Sequence, residues 1–566
     1  MLSRRELFDR SWRYAAAVAV GLILPSALLP AEAEAAEVVR YVDNRVTGGN
    51  NSGTSEANAF RSIEDMRAAI AGQTIDRVVF VVGSGPYREA FGSRTTRYKT
   101  DLSFAAADKS LNSTVTDLTT FGFQVGDIVH IYGSPANSRQ FTISTIAASK
   151  IVFIASNIVT TEAAGAKVMI TTISAGSRIA ALDPGVNGTA SRPLRFQFNG
   201  VEIDCGRTLN EANGYTWTAS TGKAGEWYVK RSDGSNPSLV QPFCGTMDGI
   251  FINDSADLDP DMGTVGSLST TAPMGWGDND SLGYSTVYVK SDTNPNDRTI
   301  RVGQIAAGVN TNWQYLSFED GIFTMGTRDV GNNVARGVAI SNGSTTQWWI
   351  KRCLFKYQSS HAVENSATGI TDVYSCLSYF SGHRGYALTV DSTLRVYNCV
   401  DYGAHIFALI GSSVTGSGSL TIRNCISAYN EAGAIDKKSA AAVLTEDHNI
   451  WWPRFGASGA ALGYVSTANW GTTAASDYPP SAATTISTQS ANVAAGGVDP
   501  LFMSPSLTSV SAADFKLRSS SVGKWSGQHV MFARDFAGQR FSLSNPSRGI
   551  YEFGAGDPAG SRAARN

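Results

Sequence analysis

The chain is short of charge, of histidine and of helical rhythm, and each shortage closes off a class of protein. Charged residues make up 17% of the 566, and the formal net charge is -2. A nucleic-acid partner calls for a basic field, which is missing. The six cysteines show no CxxC pair and no Cys/His spacing of the zinc kind, which argues against a metal cluster. No recurring i, i+3, i+4 apolar pattern is present, so helices do not carry the fold. The apolar run Tyr14 to Leu29 is short and is interrupted or ended by Pro25 and Pro30, against a stable membrane span. What is plentiful is glycine, 56 residues, which with so little charge suits a turn-rich all-β chain.

Arg4, Arg5, Arg10 and Arg13 precede that apolar run, and the small-residue sites Ala31-Glu32-Ala33 and Ala33-Glu34-Ala35 follow it. Residues 1–36 therefore read as a cleaved export signal. The opening SRRELF resembles a twin-arginine signal with Leu7 and Phe8 in swapped order, which leaves the Sec route open. The expectation is a periplasmic or secreted protein with no membrane attachment once the signal is removed. A chain exported by the twin-arginine route folds in the cytoplasm, where thiols stay reduced.

Cys353, Cys376, Cys399 and Cys425 lie 23, 23 and 26 residues apart, inside the phrases IKRCLF, VYSCLS, VYNCVD and IRNCIS. That period fits one turn of a stacked coil that buries its apolar face against its neighbours. The phrases carry short bursts of Val, Ile, Tyr and Leu between Gly, Ser, Asn and Asp, so strands form the repeat. DHNIWWP, 24 residues past Cys425, extends the series if Asn449 takes the cysteine's place. The cysteines read as buried small hydrophobes. Asn398 and Asn424 read as an asparagine ladder at a turn.

RYVDNRVTGGNNSGTSEANAF, a short amphipathic stretch around Ile63 to Ile70 and the G-x-Y-x-E turn at GPYRE together resemble the entry of a right-handed parallel β-helix of the pectate-lyase-like superfamily. VDPLF, ADFKLRSSS, ARDFAGQRF and PSRGIYEFGA resemble the closing coil of exported β-helix proteins. The resemblance implies a right-handed parallel β-helix with an N-terminal helical cap, which shields apolar core and strand edges. Residues 37–98 would hold the cap and first coils, 173–205 a further coil, 298–455 the regular coils, and 456–566 a loop region and closing coils. Residues 99–172, with turns FQVGD, GSPAN and AASK, read as an inserted small β-barrel or sandwich and resemble modules of phage tail proteins. Residues 206–297 form a second insertion, dense in Trp, Gly and Asp.

Aligned on the cysteines, His361, His383 and His405 follow by 8, 7 and 6 residues, and Glu431 follows the fourth by six. Stacking would bring them within about 5 Å per coil. Arg384 and Glu364 lie near this column in the repeat frame. A second column comes from alternation: with Ile350, Val373, Val396 and Ile422 inward, Trp349, Lys351, Asp372, Tyr374, Arg395, Tyr397, Thr421 and Arg423 point out. Aromatic rings to stack on sugar faces and cations to pair with carboxylates suit an anionic sugar chain. An ordinary solvated face reads similarly. NDSADLDPDMG offers Asp257, Asp259 and Asp261 as calcium ligands but fails the EF-hand pattern, with Gly263 one place late and Leu268 where the bidentate Glu belongs. SGHRG resembles the Gly-His-Gly turn of polygalacturonases, yet their aspartate partners are missing.

The function expected is an exported enzyme cleaving an acidic, uronate-containing polysaccharide by β-elimination. In that scheme His383 is the base, Arg384 and Arg395 hold the carboxylate, and Tyr374 or Tyr397 is the acid. His361, His405, Lys351, Trp349, Arg423 and Glu364 would assist binding, with calcium the sole cofactor considered. The alternatives are a non-catalytic glycan-binding or tail-spike-like protein, monomeric or homotrimeric, and a glycoside hydrolase or uronate epimerase on the same fold.

Overall fold

The computed structural model describes most of residues 37–552. Outside the description lie 1–36, 88–95, 173–179, 211–214, 232–243, 254–257, 260–273, 278–285, 327–335, 342–346, 405–409, 413–417, 431–434, 438–442, 454–463, 466–484, 487–514, 522–525 and 553–566, with shorter stretches and single residues between them.

The repeat strands pair in parallel, coil upon coil, in three sheets. One coil runs through Gln347–Lys351 in sheet one, Leu354–Lys356 in sheet two and His361–Ser366 in sheet three; Ile370–Tyr374 then returns to sheet one. Among the described residues sheet one holds nine strands and the other two hold eight each, so the chain is a parallel β-helix. Period-2 alternation sets what fills it. Trp348, Ile350, Val373, Leu394, Val396, Leu420 and Ile422 are fully buried. Phe323 and Phe355 of sheet two also point inward, their rings stacked 5.3 Å apart. Opposite them sheet three carries Gly337, where a Cβ would stand 2.2 Å from the Phe355 ring.

Each passage from sheet one to sheet two uses a left-handed residue. Asp320, Arg352, Ser375, Asn398, Asn424 and His448 occupy this place with φ between 52° and 59°. The asparagine ladder is therefore real but short: Asn424 Nδ2–H donates to Asn398 Oδ1 at 3.4 Å. Lower down, the Arg352 to Asp320 ion pair at 2.7 Å takes its place. The next residue turns inward and forms the cysteine ladder. The backbone N–H of Cys353 donates to Cys376 Sγ at 3.4 Å, that of Cys376 to Cys399 Sγ at 3.3 Å, and that of Cys399 to Cys425 Sγ at 3.4 Å. Cys425 N–H donates to Asn449 Oδ1 at 2.9 Å, so Asn449 does take the cysteine's place. Each thiol also donates to a carbonyl, as Cys376 does to Tyr374 at 3.3 Å. Burial pushes the Cys376 and Cys425 thiols well up, the hydrogen bonds from Cys376 and Cys425 draw Cys399 down against its burial, and all four cysteines are fully buried, out of reach of solvent. They are structural donors and acceptors, not nucleophiles.

The outer face of sheet two is apolar, with Leu354, Leu377, Val400, Ile426, Tyr379 and Tyr402. The C-terminal segment covers it with Phe515, Leu517, Phe536 and Ile550. Its backbone is tied to the turn ladder: Asn424 Nδ2–H donates to Gln528 O at 2.5 Å, Gln528 N–H returns to Asn424 Oδ1 at 2.8 Å, and Asn398 Nδ2–H reaches Ser547 O at 3.2 Å. Asp535 and Glu552, both pushed up by burial, receive the segment's own amides, from Gln539 at 2.7 Å and Ser547 at 2.9 Å.

At the other end, helix Ile63–Ile70 is capped by Ser62, whose side chain accepts from Asp65 N–H, and buries Ile63, Met66 and Ile70. Among the described residues no helix is long and apolar enough to cross a membrane. Between coils, strands from Thr96–Lys99 to Val168–Thr172 form a seven-stranded sheet with its own core, including Phe104, Phe121, Phe141 and Phe153. Strands between Gly206–Thr208 and Ile300–Gly303 form a four-stranded and a five-stranded sheet. The return strand Ile300–Gly303 pairs antiparallel with Gly206–Thr208, so it stands with the second insertion and not with the coils.

Two stability outcomes follow from the ladders. Cys399→Ala leaves the buried Cys376 amide without its acceptor and should lower unfolding free energy in urea by about 1–3 kcal/mol. Asn424→Ala loses the Gln528 bonds and puts a residue that tolerates the left-handed region less well than asparagine at φ 58°, about 2–4 kcal/mol together, and Asn424→Gly should recover the backbone part. Equal losses for the two Asn424 variants would show that the turn is not under conformational constraint.

Candidate functional site

With sheet two covered, the outward face of sheet one is the long regular surface that carries half-exposed polar side chains. The predicted phase holds, and register sorts these side chains into two columns. Arg195, Ser317, Trp349, Asp372, Arg395 and Thr421 follow one another in the first. Gln197, Glu319, Lys351, Tyr374, Tyr397, Arg423 and Asp447 follow in the second.

Most of the charges are already paired. Asp372 is buried and accepts both Arg395 Nε–H at 2.6 Å and Nη2–H at 2.8 Å, with Gln347 Nε2–H at 2.6 Å. Arg395 is thus held by a protein carboxylate, which qualifies its expected role as a partner for a ligand's carboxylate. Arg423 lies 3.4 Å from Asp447. Glu319 gathers Arg195 at 3.2 Å, Lys351 at 3.3 Å and Arg352 at 3.4 Å, and accepts Ser317 Oγ–H at 2.9 Å.

Tyr374 and Tyr397 stack on each other, centroids 5.3 Å apart and planes 18° from parallel. The two rings each cover one face of the other, and their edges and hydroxyls remain for a ligand. Burial pushes both phenols up, with Asp372 adding to the rise, so each remains a proton donor at ordinary pH.

The histidine column is different from its expectation. Register pairs His361 with Arg384, not with the neighbouring histidine. His361 and Arg384 lie on sheet three, nearly buried. Arg384 Nη1–H points to His361 Nε2 at 3.3 Å, and His361 Nδ1 meets Glu364 Oε2 at 2.8 Å and Ser360 Oγ at 3.2 Å. A guanidinium only donates, so Nε2 accepts and the neutral ring carries its proton on Nδ1, directed at Glu364. Ser366 Oγ–H donates to Glu364 Oε1 at 2.7 Å.

The predicted set is therefore divided. Trp349, Lys351, Tyr374, Arg395, Tyr397 and Arg423 share sheet one, whereas His361, Glu364 and Arg384 share sheet three. His383 and His405 lie outside the described residues, as do Asp257 and Asp261; Asp259 is described only as backbone in strand Leu258–Asp259. Among the described residues no group of three or more His, Cys, Asp and Glu could hold a metal. Sequence reasoning missed Arg195, Glu319 and Asp320, because their coils lack the cysteine used for alignment. The alternation LRFQF and LSFED was the available signal.

Burial pushes the Glu319 carboxyl up, but Lys351, Arg195 and Arg352 outweigh it and hold it at about 2, against an ordinary 4.5. A lowered folded pKa gives stability that is full above the unfolded value and is lost as pH falls through the folded one. The stability gap between the natural chain and Glu319→Gln should be constant above pH 4.5 and shrink toward pH 2 in urea titrations. A gap unchanged across that window would contradict the pairing.

No protein-family model matches the chain, and no curated protein matches it. Among solved structures it is similar to one described as the complex structure of XylC with xylose, at 10% identity and a TM-score of 0.38. The match covers 74% of this chain and 66% of that one, so this chain spans just under two thirds of its length.

Proposed function

We propose that the chain is an exported carbohydrate-active protein that takes an extended acidic polysaccharide along the outer face of sheet one, and that it cleaves it by β-elimination. The observation that carries this reading is the second column: Lys351, Tyr374, Tyr397 and Arg423 stand on four successive strands, half-exposed and in register. Successive strands are about 4.8 Å apart, a spacing that offers a repeated contact to a chain of sugars lying along the coil axis. Cations supply charge for uronate, and phenol hydroxyls one strand apart supply hydrogen bonds to ring substituents.

The choice of elimination over hydrolysis rests on proton inventory. Glycoside hydrolysis needs two carboxyl groups flanking the bond, one of them protonated in most families. On this face Glu319 is held at about 2, and Asp372 and Asp447 are each paired with an arginine, Arg395 and Arg423. Tyr374 and Tyr397 stay protonated and can donate to a departing sugar oxygen. The expected base, His383, lies outside the described residues and next to Arg384 of sheet three, so the base on the sheet-one face is a separate residue of this proposal still to be assigned by mutagenesis. Export of the mature chain belongs to the same proposal, resting on residues 1–36.

A binding role without cleavage is favoured by the Arg395 pairing with Asp372 and by the burial of Arg384 against His361. One experiment separates the readings. Residues 37–566 are incubated with acidic polysaccharides, with and without calcium, following ultraviolet absorbance of unsaturated uronate and product size. Absorbance with shorter products is expected, and the paired Tyr374→Phe and Tyr397→Phe substitution should slow it about a hundredfold or more. Shorter products without absorbance would point to hydrolysis, and bound but intact polymer to a binding protein.

A further inference from the structure

Charge is not spread evenly along this face. At the Arg395 end, each cation meets its own carboxylate: Arg395 with Asp372 at 2.6 Å and Arg423 with Asp447 at 3.4 Å. At the Glu319 end, Arg195, Lys351 and Arg352 converge on Glu319, and Arg352 also binds Asp320. Arg352 is matched by Asp320, with Asp535 also near it, so Arg195 and Lys351 share Glu319 and, with Arg77 beside Arg195 in register, leave that node in positive excess. Arg352 is nearly buried, but the side chains of Arg195 and Lys351 keep 43% and 32% of their surface exposed. Lys351 carries three N–H donors and uses one of them on Glu319, at 3.3 Å.

We infer that this node is the subsite for a carboxylate of the ligand, with Glu319 as a resident carboxylate that holds the cations in place and competes with the ligand's own. The inference rests on the sheet-one reading above and deepens it by placing the acidic unit. Lys351 is the immediate neighbour of Tyr374 in register, so a carboxylate at the node sets the following sugars over the two phenols. The glycan lies with its recognised acid toward the N-terminal coils and its hydroxyl-bearing residues toward the C-terminal ones. Glu319 fixes Arg195 and Lys351 without neutralising the whole node, which preorganises a half-exposed site that would otherwise lose long side chains to rotamer freedom.

The consequence runs against ordinary intuition about removing a buried, well-paired carboxylate. Calorimetric titration of the 37–566 chain with a short oligouronate and with its carboxyl-reduced form gives the test. Glu319→Gln should tighten the oligouronate by about twofold to fivefold, the worth of a half-exposed ion pair, and leave the carboxyl-reduced form unchanged. Lys351→Gln should weaken the oligouronate and flatten its salt dependence. Lys150→Gln, the same charge change on the inserted seven-stranded module, should do neither. A folded Glu319→Gln chain that binds the oligouronate equally or more weakly would overturn the inference. If Glu319→Gln does not fold, undiminished oligouronate binding by Lys351→Gln would overturn it just as well. Should Tyr374→Phe weaken binding while Lys351→Gln and Glu319→Gln change nothing, the sheet-one face would stand and the anion subsite would fall. Binding of neither oligosaccharide by the natural chain would remove both.

Discussion

Parallel register between successive coils is the constraint on which everything else in this molecule depends. Once a strand is hydrogen-bonded to the same strand of the next coil, each side chain is set directly above its counterpart about 4.8 Å away. Like must then tolerate like, four or five times over. Phe196 stacks on Phe318, Phe323 on Phe355, and Tyr379 on Tyr402 because in-register rings have nowhere else to go. The cysteines meet the same demand with a group small enough for the sheet-one corner and able both to accept an amide proton and to donate its own.

Charge is the side chain least able to obey that rule, and its placement reveals what each face is for. Sheet two carries few charges in its middle coils, Lys356 at a strand end and the fully buried Asp401, and the C-terminal segment covers its apolar outer surface. Sheet three packs Glu364, His361 and Arg384 into a chain of hydrogen bonds in which the guanidinium and carboxylate sit at opposite ends of one imidazole. In its middle coils sheet one sets opposite signs side by side, Glu319 beside Lys351 and Asp372 beside Arg395, so that stacking becomes attraction, whereas Arg77 and Arg195 are neighbours nearer the N-terminal end. That arrangement leaves cations and phenols half-exposed on a straight face, and the functional reading rests on it.

The repeat, the strand phase and the cap helix were legible because each rests on local pattern: cysteine spacing, period-2 alternation, and a serine before an amphipathic turn. Even the substitution of Asn449 for cysteine could be read, since an amide can accept at the position where a thiol does. What could not be read was pairing at a distance. Arg195 and Glu319 are 124 residues apart, separated by the second insertion, and no spacing in the sequence hints that they meet. The partner of His361 was missed for a related reason. The loop between Cys376 and His383 is one residue shorter than that between Cys353 and His361, and a one-residue change in a parallel ladder substitutes Arg384 as the partner. The stacking of Tyr374 on Tyr397 was not foreseen, because alternation says which way a side chain points and not what lies beside it.

Hydroxyl-radical footprinting with and without an acidic oligosaccharide tests the central claim most directly, because it reports where the glycan lies whether or not it is cut. The account predicts protection of Trp349, Tyr374 and Tyr397, half-exposed on sheet one, with no change at Trp227 and Tyr228 of the second insertion, which are also half-exposed. Protection of Trp227 and Tyr228 with sheet one unchanged would contradict it and move the site to the insertion.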